Sequence, residues 1–290
     1  MRLTDEVRAH AERVAASARS VSVDLEALGT LEPGPPPVMD AERHYLEGSE
    51  ADVASYLLVL DTINFGSGWF PTLRKRPGAS GYFTIAWSLA DRYRAHGPWT
   101  NAELRAMRTE ELADVLGQPR DHELTALFAQ ALRQLGAFLG ERGALDLVRA
   151  AGGSAERLAE LLAAGMTMYA DRGFYKRAQI VPHDLALAGV ASFRDLERLT
   201  IFADNLVPHV LRVDGVLRYD ERLAGHIDAG RQLRPGPQER EIRACAVHAC
   251  ALAARRAGVS ENDLDHRLWT RGQAAAYKAL PRHRCRTIFY

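Results

Sequence analysis

DHELTALFAQALRQLGAFLG, residues 121–140, is the stretch whose reading decides the class of fold. Leu124, Leu127, Phe128, Ala131, Leu135, Phe138 and Leu139 recur at the spacing of one helical face, with Glu, Gln and Arg opposite, the pattern of an amphipathic α-helix. Working outward, Thr100 with Glu103 and Ser260 with Asp263 read as helix N-caps, while Gly117 and Gly258 suit helix ends. Strand signals are weak. GYFTI at 81–85, paired with the region of Trp69 and Phe70 across LRKRPGAS, makes one candidate β-hairpin, and the C-terminal CRTIFY reads as extended. Proline makes LEPGPPP at 31–37 and RPGPQ at 234–238 irregular, and neither is long enough for an interdomain linker. No internal repeat is found. The expectation is an all-α fold, with room for one short hairpin, in a single domain over residues 1–290.

A chain of 290 residues that is 47% apolar can bury a large core. No run of about 18 apolar residues occurs, and the N-terminal MRLTDEVRAHAERV is charged throughout, so a cytoplasmic protein without a membrane partner is expected. Lys plus Arg balances Asp plus Glu at 37 each, which leaves no global field for nucleic acid, and any anion site must be local. A monomer is expected. Lysine occurs only at 75, 176 and 278. Cys245, Cys250 and Cys285 are too few for a disulfide scaffold. Cys245, His248 and Cys250 imitate metal spacing, but on a helix Cys250 points about 140° from Cys245 and about 200° from His248. Buried thiols are the better reading, and neither a metal nor a cofactor is expected.

The segment FYKRAQIVPHDLALAGVASFRDLERLTIFADNLVPHVL, residues 174–211, has a helix-hairpin-helix pattern: a helix ending near Gly189, a tight turn, and a second helix opened by Ser192. Within it, Asp204 lies between Leu199, Ile201, Phe202 and Ala203 on one side and Leu206, Val207 and Pro208 on the other. A carboxylate in such company is desolvated or specifically partnered, and Pro208, which lacks an N–H, suits a bend there. A cap on a helix beginning near Leu206 explains the same residue equally well. Asp61, in YLLVLDTINF, follows five apolar or aromatic residues and invites the same two readings. The residues alone leave the two acids level. Tyr175, Lys176 and Arg177 place an aromatic beside two cations, a cluster that either holds a phosphate or forms a solvated face.

DTINF at 61–65, FYKRAQI at 174–180, LTIFADNLVPHVL at 199–211, QEREIRAC at 238–245 and the ending LPRHRCRTIFY resemble, in order and at similar spacing, the queuosine salvage protein family. The match runs from about His44 to Tyr290. The resemblance implies an all-helical fold similar to the helix-hairpin-helix DNA glycosylases, and an N-glycosidase that frees queuine from queuosine 5'-phosphate for reuse in tRNA modification. The family's catalytic Asp lies in its F-A-D block, which places it at Asp204. Asp61, Asn64 and Phe65 carry across as pocket residues, Lys176 as the phosphate contact, and Tyr175 belongs to the same block.

Breaking a ribosyl C–N bond develops positive charge on the sugar, so a fixed anion is needed beneath the anomeric carbon. At about 4 Å and an effective dielectric of about 20 a carboxylate supplies ~4 kcal/mol, roughly a thousandfold in rate. Queuine has carbon where guanine has N7, so an acid cannot activate departure there, and stacking on Phe65, Phe202 or Trp269 with hydrogen bonds to the pyrimidine edge must contribute. The amine on its side arm calls for a second carboxylate, with Asp61 and Glu241 as candidates. The competing enzyme is a metal-dependent phosphohydrolase of the HD type built on His183-Asp184, but VPHDLALAG brings no other ligand at convincing spacing. The non-enzymatic alternative, a helix-hairpin-helix module on DNA, lacks the basic run that duplex binding requires.

Overall fold

The computed structural model describes residues 2–32, 34–36 and 38–290, so Pro33 and Pro37 of the proline-rich stretch lie outside the described residues. In chain order the helices are α1 (Leu3–Ser17), α2 (Leu25–Gly29), α3 (Glu50–Thr62), α4 (Gly81–His96), α5 (Asn101–Arg105), α6 (Thr109–Leu116), α7 (Glu123–Leu139) and α8 (Ala144–Ala150). They continue as α9 (Ala155–Gly165), α10 (Lys176–Leu187), α11 (Val207–Val213), α12 (Glu221–Asp228), α13 (Pro237–Ala257), α14 (Glu261–Arg271) and α15 (Ala275–Lys278). Two strands, β1 (Val21–Val23) and β2 (Leu217–Tyr219), pair antiparallel with Val21 opposite Tyr219 and Val23 opposite Leu217. The mainly helical class expected from periodicity is the class observed.

Three helices form the interior. In α3 every residue from Tyr56 to Thr62 is buried, in α10 every residue from Lys176 to Leu185, and in α13 the run from Ile242 to Val247. Amphipathic helices cover them: α1 lies on α13, α9 and α3 flank α10, and α7 joins α5 and α6 to α3. The predicted punctuation holds. Thr100 closes a capping box with Glu103, the Ser260 hydroxyl accepts the Asp263 N–H, and Gly117 and Gly258 end their helices in the left-handed region; Ser49 and Asp52 add a capping box that was not predicted.

Two expectations are corrected. GYFTI is the first turn of α4, where the Ser80 hydroxyl accepts the Phe83 N–H at 3.2 Å and Ile85, Leu89 and Tyr93 are buried one turn apart. Five residues do not separate a period of 2 from one of 3.6, and the helical face appears only when the stripe is followed to Tyr93. Trp69 and Phe70 enter a 3-10 turn rather than a strand, and Gly81 is demanded by packing, since a Cβ there would lie 2.5 Å from the Phe70 ring. The sheet that does form joins residues about two hundred positions apart, a pairing without local signal. In the second correction, α10 ends as expected at a turn with Gly189 at φ +73°, but no α-helix starts at Ser192. A 3-10 turn at Leu196–Arg198 and an extended run intervene before α11, because the Gln179 side chain binds both the backbone N–H and the hydroxyl of Thr200. RPGPQ is irregular only to Gly236, since Pro237 opens α13, where its missing N–H costs nothing. CRTIFY stays non-helical, with a single bridge from Cys285 to Leu233.

Candidate active site

The extended run after Thr200 delivers Asp204 to a cleft. The N–H groups of Leu206 and Val207 donate to its Oδ1 at 2.7 and 3.2 Å, so this oxygen caps α11 as the cap reading requires. The other oxygen has no hydrogen-bond partner among the described residues, and Asp204 lines the cleft. One carboxylate thus fills both roles that the sequence left open.

The walls come from segments distant in sequence. Asn64 and Phe65 follow the end of α3, Lys176 and Asp184 lie on α10, Phe202 and Asp204 precede α11, and Asp265 and Trp269 lie on α14. Aromatic rings line much of it: Trp269 stands edge-on to Tyr82 and Phe83 with centroids 5.6 and 5.8 Å away, and Phe202 packs on His183. Phe65 is fixed from behind by Phe128 and by the Arg177 guanidinium, 4.6 Å from its ring.

The interior of the cleft is acidic. Asp265 Oδ1 accepts the Phe202 N–H at 2.8 Å, and burial, with the neighbouring Asp204, pushes its carboxyl up to about 8. Burial likewise raises Asp184 to about 7, against the pull of Lys176. Asp61 is fully buried behind the cleft wall, where burial and repulsion from Asp184 raise it well above the carboxylate range. Lys176 donates Nζ to the backbone and side-chain oxygens of Asn64, at 3.1 and 3.4 Å; burial lowers its ammonium, and Asp204, Asp61 and Asp265 oppose that. Arg282 and Lys278 bring two further cations to the cleft.

Of the residues expected at the site, Asp204, Asn64, Phe65, Lys176, Phe202 and Trp269 meet in this cleft, while Asp61 is sealed behind it. Two are elsewhere. Tyr175 turns its hydroxyl to Glu6 at 3.0 Å, away from the cleft. Glu241 lies about 200° around α13 from the inward-facing Arg243 and accepts the Arg19 and Ser20 N–H groups at 3.1 and 2.7 Å, so it is a side-arm candidate no longer. His183 of the HD dipeptide faces Asn262, 3.2 Å from Nδ1, and packs beside Phe202, while Asp184 faces the cleft; the dipeptide is split between two environments. Cys245 and Cys250 are buried thiols on α13.

Sequence reasoning missed Asp265, Arg282, Lys278 and Tyr82. Asp265 had a readable signal, since Glu261, Leu264, Asp265 and Leu268 occupy one buried helical face, and an acid there needs a reason. Chemically, the site offers a free carboxylate oxygen, an adjoining carboxyl that keeps its proton at neutral pH, aromatic surfaces for a planar ring, and cations for an anionic group.

The model of the family described as queuosine salvage protein matches residues 44–290. A Sphaerobacter thermophilus protein named queuosine 5'-phosphate N-glycosylase/hydrolase is 35% identical over 309 residues, covering 96% of this chain and 95% of that protein. Proteins of the same name from Dictyostelium discoideum and Bos taurus are 30% and 27% identical, covering 82% and 84% of this chain and 78% and 83% of their own lengths. With the family model matching residues 44–290 and the Sphaerobacter protein aligned along nearly the whole length of both chains, the chain belongs to the queuosine salvage protein family.

Proposed function

We propose that the protein hydrolyses the N-glycosidic bond of queuosine 5'-phosphate and releases queuine, with Asp204 beneath the anomeric carbon. The observation that carries the reading is the division of labour within one side chain: Oδ1 is locked by two N–H donors while Oδ2 is free in the cleft. A carboxylate fixed in this way opposes the charge of an oxocarbenium-like state without having to reorganise during the reaction. Water adds to the anomeric carbon as its bond to the base breaks, and the base leaves with a proton. Asp265, which holds a proton at neutral pH beside Asp204, suits the hydrogen bond that relieves negative charge on a base lacking N7.

The geometry favours Arg282 and Lys278 over Lys176 for the 5'-phosphate. Lys176 already donates to both Asn64 oxygens, whereas Arg282 donates no hydrogen bond among the described residues and offers a planar guanidinium at the cleft. The reading takes residues 1–290 as one unit acting as a cytoplasmic monomer on a small nucleotide, without cofactor or nucleic acid. Supporting it are a continuous apolar cluster from Leu3 to Leu268, balanced charge, and no helix among the described residues long and apolar enough to cross a membrane. Incubation with queuosine 5'-phosphate and measurement of free queuine tests the reading: release by the wild type and its loss in Asp204→Asn are expected, and an inactive wild type refutes the substrate.

A further inference from the structure

Asp184 is only 8% exposed, lines the cleft, and its carboxyl accepts no hydrogen bond among the described residues. Behind it, Asp61 is completely buried, and neither of its oxygens has a hydrogen-bond partner among the described residues. A fully buried carboxyl without a donor is unusual, because buried polar groups are nearly always satisfied, and here it backs a second carboxyl that opens to the cleft. The nearby cation attracts both carboxyls but hydrogen-bonds neither: Lys176 points two of its three N–H donors at the Asn64 oxygens. The charged and titratable groups facing Asp184 are Asp61 from α3, Tyr82 from α4, Lys176 from its own helix and Asp265 from α14. Three of these four are acids or a phenol, so the missing partner is a positive charge supplied from the cleft.

We propose that Asp184, backed by Asp61, is the residue that selects a base carrying a cationic amine, holding the ammonium of the queuine side arm. The inference rests on the queuosine reading and makes it more specific. It also replaces Glu241, which faces another part of the molecule, and moves the contact from Asp61 to the carboxyl that reaches the cleft. Burial raises the Asp184 carboxyl, and an ammonium beside it favours the charged form, so binding of the amine draws protons off this pair.

Calorimetric titration of the full chain with queuine and with 7-deazaguanine, which lacks the arm, tests this. Wild type is expected to prefer queuine, and Asp184→Asn is expected to shrink that preference at least about tenfold, with Asp184→Glu restoring part of it. A preference unchanged in Asp184→Asn, or absent in wild type, overturns the proposal. Should Asp184→Asn not fold, Asp184→Ser is compared with Asp184→Glu, which keeps the charge, and an equal preference in the two overturns the proposal. Queuine binding at pH 7, compared in two buffers of different ionisation enthalpy, is expected to release more protons than binding of 7-deazaguanine; equal release overturns it. Queuine release from queuosine 5'-phosphate is scored separately, so an active enzyme with no arm preference refutes this inference, while an inactive one refutes the function.

Discussion

Replacing Asp204 by Asn separates the two tasks of its carboxylate. Asn keeps an oxygen where Oδ1 accepts the Leu206 and Val207 N–H groups, and Asn and Asp cap helices about equally well, so α11 keeps its cap. What disappears is the charge. With the cationic sugar about 4 Å away and an effective dielectric of about 20, that charge is worth ~4 kcal/mol in the transition state, so the rate falls roughly a thousandfold. Asp204→Ala removes the cap as well, costing ~1 kcal/mol and lowering Tm by about 2 °C in a chain of this size. The assay is single-turnover release of queuine by chromatography, paired with thermal unfolding followed by circular dichroism. Expected are an Asn variant that melts like wild type yet is about a thousandfold slower, and an Ala variant that is equally slow and less stable. An Asn variant within about tenfold of the wild-type rate would leave Asp204 a helix cap and nothing more.

Arg282→Ala should raise KM for queuosine 5'-phosphate at least about tenfold more than for unphosphorylated queuosine, whereas Lys176→Ala should affect both substrates alike; the reverse pattern returns the phosphate to Lys176. Asp265 has a folded value near 8 against an ordinary 3.8, so the native state binds the extra proton and stability is lost as pH rises from about 4 to about 8. Asp265→Asn, which can still accept the Phe202 N–H, should flatten that loss by up to ~1.4 kcal/mol per pH unit, read from denaturant midpoints at pH 5 and pH 8; identical slopes would refute the assignment. Gly68→Ala places a Cβ 2.4 Å from the Cys285 carbonyl oxygen, so it should displace the segment that carries Tyr290 into the cleft and lower both Tm and queuine release; an unaltered Tm would show that the segment can yield.

The helical class was legible because caps and apolar stripes are local, and Thr100–Glu103 and residues 121–140 behave as their sequences dictate. GYFTI misled because its aromatics fit either period over five residues. Asp61 and Asp204 were both recognisable by their apolar flanks, but which of them faces the cleft depends on how α3 docks beside α10. Membership in a matching block placed Glu241 near the site without saying which face of α13 it occupies. Arg282 and Lys278 were illegible for a related reason: Arg282 shares its matching block with Arg284 and Arg286, nothing beside Lys278 marks it as a ligand, and only long-range docking brings the two to the cleft.

The buried Arg177 guanidinium donates to the carbonyl oxygens of Thr62, Met168 and Ile288, two of them 115 and 111 residues away in sequence, and it stacks over Phe65 and Tyr169. Contacts of that separation carry a large loop-closure cost and form late. Helices such as α7 can therefore appear well before the cleft exists, and during refolding the capacity to release a base should return after helical circular dichroism has recovered. A chain caught between these stages would show native helicity while its substrate-facing aromatics and acids were still unassembled.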